Sequence, residues 1–258
     1  MSVRFACPVP LRTGGGLRAR GVAAGHALLR SDVQGRRRMS KVRKLEDTVA
    51  MIPDGAVLMI GGFMGVGTPP HLIEELLRQN KRDLTVIAND TARPAVGIGR
   101  LIAAKAVRKV IASHIGTNPE TQRQMIAGET EVELVPQGTL AERVRAGGFG
   151  LGGVLTPTGV GTVVEDGKQR IELDGTVYLL EKALKADFAL IAAKRADYLG
   201  NLEYALTARN FNPLMAMAAE TVIAEAEDIV PVGVIPPDSV VTPNVLVDCL
   251  VAKEHRHG

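Results

Sequence analysis

The sequence predicts an α/β fold: an open, mostly parallel sheet with helices on both faces, plus a small antiparallel meander near residues 161–181. Three observations point there. Short apolar runs of strand length alternate with stripes of helical period from Val42 to Val251, as in a parallel sheet covered by helices. Hydrophobic residues make up 46% of the chain, mostly Ala, Val, Ile and Leu, with no Trp, which suits strands buried on both faces. Asp166-Gly167 and Asp174-Gly175 separate β-type runs, and Asp-Gly between such runs is the strongest short-range hairpin signal.

The elements follow in order. Residues 1–38 are Arg-, Gly- and Ala-rich, with Asp32 the only acid. Such a stretch reads as a disordered tail, a transit-like peptide, or upstream sequence translated before a true start at Met39; the last is favoured, leaving 39–258 as the domain. Val42, Leu45, Val49 and Ile52 form a helix stripe ended by Pro53. Pro53-Asp54-Gly55 is turn chemistry. Ala56 to Ile60 is a buried strand, and the loop Gly61-Gly62-Phe63-Met64-Gly65-Val66-Gly67 leads to a helix opened by Pro69 or Pro70.

Asn80 stops that helix, and Leu84 to Ala88 is the next strand, ending at Asn89-Asp90-Thr91. A helix near Ile98 to Ala104 precedes the strand Lys109 to Ala112. Asn118-Pro119 reads as N-cap and first-turn proline, with Gly128 as the stop. A short strand holding Val132 and Leu134 ends at Pro136; Thr139-Leu140-Ala141-Glu142 has the spacing of a capping box, and Gly147 ends that helix. Runs at 162–165, 169–173 and 176–180 form the expected three-stranded meander, attached to the main sheet. Strands at Phe188–Ala193 and Val222–Ala226 flank a helix opened by Asn212-Pro213, and the apolar stretch Val240–Val251 should pack on the body.

Composition narrows the function. The formal charge of +3 comes from the arginines of residues 1–38, so the remainder is slightly acidic, which argues against nucleic acid as a partner. Cys7 and Cys249 are too far apart in sequence to suggest a disulfide framework, and a cytoplasmic, reducing compartment is expected. No apolar run reaches membrane-spanning length, and His26, His71, His114, His255 and His257 are scattered, so neither a membrane nor a metal is expected.

The candidate site lies at strand ends. In an open α/β sheet, ligands bind outside the carboxyl ends of the strands, where helix N-termini present free N–H groups. The loop Gly61–Gly67 is therefore expected to hold an anion or a thioester-bearing tail. Gln137 follows a strand end and precedes a helix; its amide can stabilise a negative oxygen developing on a carbonyl, or bond within its own loop. Asn89 and Asp90 can orient a carboxylic acid or order the glycine loop. Ser113 and His114 suggest a nucleophile, but nothing completes a triad, and strand-end packing is the better reading. Residues 148–153 spell G-x-G-x-x-G after a helix rather than a strand, which fails the dinucleotide context.

Six ordered stretches carry a resemblance: Asp54 to Pro69, Ile87 to Thr91, Ile111 to Glu120, Val135 to Arg143, Leu155 to Thr162 and Ala208 to Pro213. Together they resemble the α subunits of the family I coenzyme A transferases, closest to the acetate/acetoacetate (3-oxoacid) branch, from about Met39 to Val251. The resemblance implies that family's Rossmann-like fold. It also implies movement of coenzyme A between a short acyl-CoA, such as acetoacetyl-CoA, and a short carboxylate, such as acetate or succinate. By the same resemblance Gln137 helps form the oxyanion hole with Asn89 beside it, and Gly61, Gly62, Phe63, Met64, Gly65, Val66 and Gly67 contact coenzyme A, a substrate rather than a bound cofactor. Many relatives have an amide-type residue where this chain has Asp90, so Asn89 is the firmer assignment.

The family's nucleophile is a glutamate in a Glu-Asn-Gly motif on a β subunit, and no Glu-Asn-Gly occurs here. The chain is therefore expected to bring half an active site to a β partner. Two other readings are a sugar-phosphate isomerase on a related scaffold, which needs a catalytic acid on this chain, and a non-catalytic acyl-CoA-binding regulatory subunit.

Overall fold

The computed structural model describes residues 41–253. The expected extension 1–38, with Cys7 and His26, and the terminal His255 and His257 lie outside the described residues. The unit spanning Ser40–Gly258 carries every element below.

The main sheet is built from β1 (Val57–Ile60), β2 (Leu84–Ile87), β3 (Val107–Ala112), β4 (Glu131–Leu134), β8 (Ala186–Asp197), β10 (Ala219–Val230) and β11 (Cys249–Ala252). Its order is β11-β10-β8-β1-β2-β3-β4, and neighbours in that path run parallel; β9 (Leu202–Glu203) adds antiparallel to β8. The chain moves outward from β1 in one direction through β2 to β4, and β8 returns on the other side of β1. Such a reversal makes a topological switch point, where α/β sheets place ligands.

Successive residues of β1 point to opposite faces, so Leu58 and Ile60 join one apolar cluster and Met59 the other. Against the first pack α1 (Leu45–Ala50), α2 (Pro70–Arg78) and α3 (Ile98–Ala103), through Val49, Leu72, Leu76 and Ile102. Against the second pack α5 (Gln137–Gly148) and α6 (Asn212–Met217), through Leu140, Val144 and Met215. Helices on both faces explain why the strands read as near-continuous apolar runs.

Local chemistry accounts for the helix ends. Pro70 occupies the first turn of α2, and Asn80, at φ 56°, turns the chain after it. In α4 (Pro119–Ile126), the Asn118 side chain accepts from the N–H groups of Glu120 and Thr121 at 3.2 and 3.3 Å, so the predicted N-cap is present.

Four expectations are corrected. Val42 lies before α1 and bridges Leu250 in parallel, so the helix stripe begins at Leu45. The capping box at Thr139 is not used: α5 opens two residues earlier, with Pro136 as N-cap and no side-chain cap, and ends at Gly148 rather than Gly147. The run 162–165 forms a 3-10 turn rather than a strand, because Thr162 caps the Val164 N–H and Glu165 accepts from the Gly161 N–H. The meander is a separate sheet rather than part of the main one. Its order is β5-β7-β6, from β5 (Gly153–Thr156), β6 (Arg170–Leu173) and β7 (Thr176–Lys182). Asp174-Gly175, both at positive φ, does make the tight β6–β7 hairpin.

Candidate active site

Four neighbouring strands end along one edge of the sheet, and each delivers part of the site. Beyond β1 comes the loop Gly61–Gly67, beyond β2 Asn89 and Asp90, beyond β3 Ser113 and His114, and beyond β4 Gln137.

These ends are wired by side-chain amides. Asn89, 2% exposed, donates from Nδ2 to the Gly62 carbonyl at 2.7 Å. Its Oδ1 accepts from Nε2 of Gln137 at 2.5 Å. Oε1 of Gln137 accepts from the Ser113 hydroxyl, which also lies 2.8 Å from the Asn89 carbonyl. Each bond fixes which end of the next amide is oxygen, so the run from the glycine loop to Gln137 has one consistent orientation. Gln137 itself is exposed, and only one of its two amide N–H groups is bonded among the described residues. The result is a donor held from behind and open in front.

Asp90 does different work. Its Oδ2 accepts from the Met64 N–H at 2.9 Å and its Oδ1 from the Ala92 N–H at 2.6 Å. Buried at 3% exposure, it orders the glycine loop and its own turn. His114 bridges Asp90 through the backbone and stays exposed.

The glycine loop is a turn interlocked with the segment ahead of α6. Phe63 and Val66 exchange two backbone hydrogen bonds of 3.0 and 2.9 Å, with Met64 and Gly65 at positive φ between them. Asn210 accepts from the Gly62 N–H at 3.1 Å and donates to the Val66 carbonyl at 2.9 Å. Asn212 donates to the Gly67 carbonyl at 3.0 Å and accepts from the Ala192 N–H at 3.2 Å. A Cβ on Gly61 would sit 1.7 Å from Oδ1 of Asn212. Gly61 and Gly62 are therefore buried in the interlock, while Phe63 and Val66 are half exposed. Phe63, Met64, Val66, Thr207 and Asn210 line an apolar cavity of about 630 Å³.

One expectation about this loop is corrected. The N-terminus of α2 is not free to take an anion. The buried Glu225 carboxylate, on β10, accepts from the N–H groups of both His71 and Leu72 at 3.0 Å and pairs with the His71 ring at 2.7 Å. The chain supplies its own anion there.

Sequence reasoning set Ser113 aside as packing; the structure places its hydroxyl against Gln137. The signal was its position one residue past β3, matching Asn89 and Gln137 past the strands on either side. Burial raises the pKa of the Cys249 thiol, opposite to what a cysteine nucleophile needs. Among the described residues no three His, Cys, Asp or Glu side chains gather to hold a metal, and no helix is long and apolar enough to cross a membrane.

The coenzyme A transferase family model matches residues 42–253. The chain belongs to the coenzyme A transferase family. It is 57% identical to the acetate CoA-transferase subunit alpha of Escherichia coli over 215 residues, 83% of this chain and 98% of that one. It is 51% identical to the acetoacetyl-CoA:acetate/butyrate CoA transferase alpha subunit of Clostridium acetobutylicum, over 82% of this chain and 97% of that one. Among solved structures, a variant of the decarboxylase AibA/AibB aligns with a TM-score of 0.70 and 31% identity, over 83% of this chain and 84% of that one. Glutaconate coenzyme A-transferase from Acidaminococcus fermentans shares the fold, with a TM-score of 0.72 at 22% identity, over 83% of this chain and 75% of that one. The predicted fold class and the CoA-transferase alpha-subunit assignment are borne out, and coenzyme A thioesters are this family's substrates.

Proposed function

We propose that this chain is the α half of a transferase that moves coenzyme A between a short acyl-CoA, acetoacetyl-CoA or similar, and a short carboxylate such as acetate or succinate. The catalytic glutamate would come from a separate β subunit. The observation that carries this is an oxyanion donor without a nucleophile. Gln137 presents a positioned amide N–H, yet Asp90, the acid at the strand end beside Asn89, has both carboxylate oxygens occupied by backbone N–H groups. A carboxylate so bonded is a poor nucleophile.

In this reading a glutamate from the partner attacks the thioester carbonyl. The carbonyl oxygen gains charge, and the free N–H of Gln137 meets it. Asn89 and Ser113 keep the amide from rotating, so no reorganisation is needed as charge develops. Thiolate departure leaves an acyl-glutamyl anhydride; thiolate return to its glutamyl carbonyl expels the first carboxylate and gives a glutamyl-CoA thioester, and the second carboxylate runs the same steps in reverse, displacing thiolate to form a new anhydride whose acyl carbonyl the thiolate attacks to give the new acyl-CoA and free glutamate. The apolar cavity beside Phe63 and Val66 suits part of the coenzyme A tail. This role for Gly61–Gly67 rests on the loop's exposed members, since Gly61 and Gly62 are buried. The reaction needs no metal or redox group, and a cytoplasmic location fits a chain whose two cysteines suggest no disulfide framework.

Asp90→Asn separates the readings. Replacing one acceptor oxygen by NH₂ strands a backbone N–H and costs about 1–3 kcal/mol of stability. In the assembled enzyme turnover is expected to stay within about tenfold, since Asp90 only shapes the loop. A loss near the roughly 10⁶-fold typical of removing a nucleophile, in a variant that still folds, would put the attacking group on this chain and end the half-site reading.

A further inference from the structure

The short 3-10 turn Leu206–Arg209, between β9 and α6, borders the apolar cavity through Thr207, with Asn210 following it there. Two of its side chains are unused by the fold. Leu206 is 95% exposed, more than any other large apolar side chain among the described residues, and its φ is 49°. A left-handed backbone disfavours an L-residue, and strain of this kind points to function where packing does not explain it. Arg209 is exposed, and its guanidinium makes no ion pair or hydrogen bond among the described residues. The exposed Arg78, Arg123, Arg145 and Arg170 each pair with a glutamate. No acid lines the cavity beside Arg209. The turn is also joined to the oxyanion donor by a run of hydrogen bonds. Gln137 donates to Asn89 at 2.5 Å, Asn89 to the Gly62 carbonyl at 2.7 Å, and the Gly62 N–H to Asn210 at 3.1 Å.

We propose that the turn Leu206–Arg209 holds the arm of the acyl-CoA substrate: Leu206 covers the pantetheine in the cavity, and Arg209 takes the phosphate at the end of that arm. This rests on the transferase reading, in which the thioester carbonyl meets Gln137. At ordinary bond lengths the hydrogen-bonded run from Gln137 to Asn210 covers about 10 Å, and an arginine side chain reaches about 6 Å further. An extended pantetheine arm measures about 16 Å from its sulfur to the adjoining phosphorus at the same bond lengths. A thioester at Gln137 with its arm laid past Phe63 and Val66 therefore brings that phosphate to Arg209. A guanidinium meets a phosphate through two parallel N–H···O bonds, and Arg209 gives up no partner among the described residues to make them. Covering the arm takes the Leu206 side chain out of water. Arg93, on the loop after β2, is a second exposed arginine whose guanidinium is unbonded among the described residues. Its turn packs on Gly65 through Val96, whereas the Leu206–Arg209 turn packs on Gly67 through Ala208, and Arg93 does not line the cavity.

The test uses the assembled complex and three thioesters: acetoacetyl-CoA, acetoacetyl-4′-phosphopantetheine and acetoacetyl-pantetheine, the last lacking every phosphate. Arg209→Met should lower kcat/KM about five- to tenfold for the first two, the loss expected for a charge-assisted pair of hydrogen bonds at the surface. For acetoacetyl-pantetheine it should stay within about twofold. Arg93→Met removes the same charge beyond the cavity and should change all three by less than about twofold. Leu206→Gly should raise the KM of all three about two- to fivefold without lowering the urea midpoint, because glycine accepts that φ. Calorimetric titration of coenzyme A into the complex gives a readout independent of turnover, and Arg209→Met should weaken that binding by the same five- to tenfold. Equal losses with and without the phosphate, an equal loss from Arg93→Met, an unmoved KM in Leu206→Gly, or no coenzyme A binding by the wild type would each overturn the proposal. Coenzyme A binding weakened by Arg209→Met in a complex that transfers it to no short acid would instead sink the transferase reading and leave this contact standing.

Discussion

Gln137→Ala is expected to lower turnover of the assembled enzyme by about 10²–10³-fold, the usual loss when one oxyanion donor is removed. The fold should lose only about 1 kcal/mol, one net hydrogen bond, because Gln137 is exposed and water can reach the Asn89 oxygen that it leaves. The effect should fall on kcat rather than on the KM for acyl-CoA, since the amide meets charge that exists only in the transition state. The check is steady-state kinetics beside urea unfolding of the same protein. Matched losses of activity and stability would show that Gln137 is structural.

A large effect on folding is expected at Gly61. A methyl there would overlap the Asn212 side chain, with Cγ at 2.6 Å as well as Oδ1 at 1.7 Å. Asn212 cannot retreat, because it is fully buried and bonded to Ala192, Gly67 and Ala208. Gly61→Ala should therefore cost about 3 kcal/mol, the upper part of the overpacking range, and activity should fall with it as the loop is displaced. Asn212→Ala alone should cost about 1–3 kcal/mol for the backbone groups it strands. The two should not add. With Asn212 cut back the added methyl has room, so the double variant should be little worse than Asn212→Ala alone. Additive losses in this double-mutant cycle would mean that the glycine is required for some other reason.

The order of strands and helices was readable because β1, β2 and the middles of β8 and β10 are short, mostly apolar runs and many turns carry their own chemistry. Asn89 and Gln137 were found because a polar side chain two or three residues past a strand's end stands at the sheet's ligand edge. What escaped depends on pairing across the chain. Glu225 reaches the N-terminus of α2 from 154 residues away, and nothing near His71 announces it. Ser113 makes sense only once β3 is known to lie between β2 and β4. At Thr139 the local rule misled: the spacing to Glu142 fits a capping box, but Pro136 starts the helix early and draws Thr139 inside. The meander failed similarly. Asp166-Gly167 looks like a hairpin in isolation, yet β7 takes β5 as its second neighbour, a pairing that short-range signals do not contain.

The central claim is that this chain holds the oxyanion donor and a second chain holds the nucleophile. Native mass spectrometry of the complex purified from its own cells, with transfer from acetoacetyl-CoA to acetate assayed on the isolated chain and on the complex, tests it most directly. A stoichiometric partner carrying a Glu-Asn-Gly motif, with activity in the complex and none in the chain alone, is the expected result. An active oligomer of this chain by itself would contradict it.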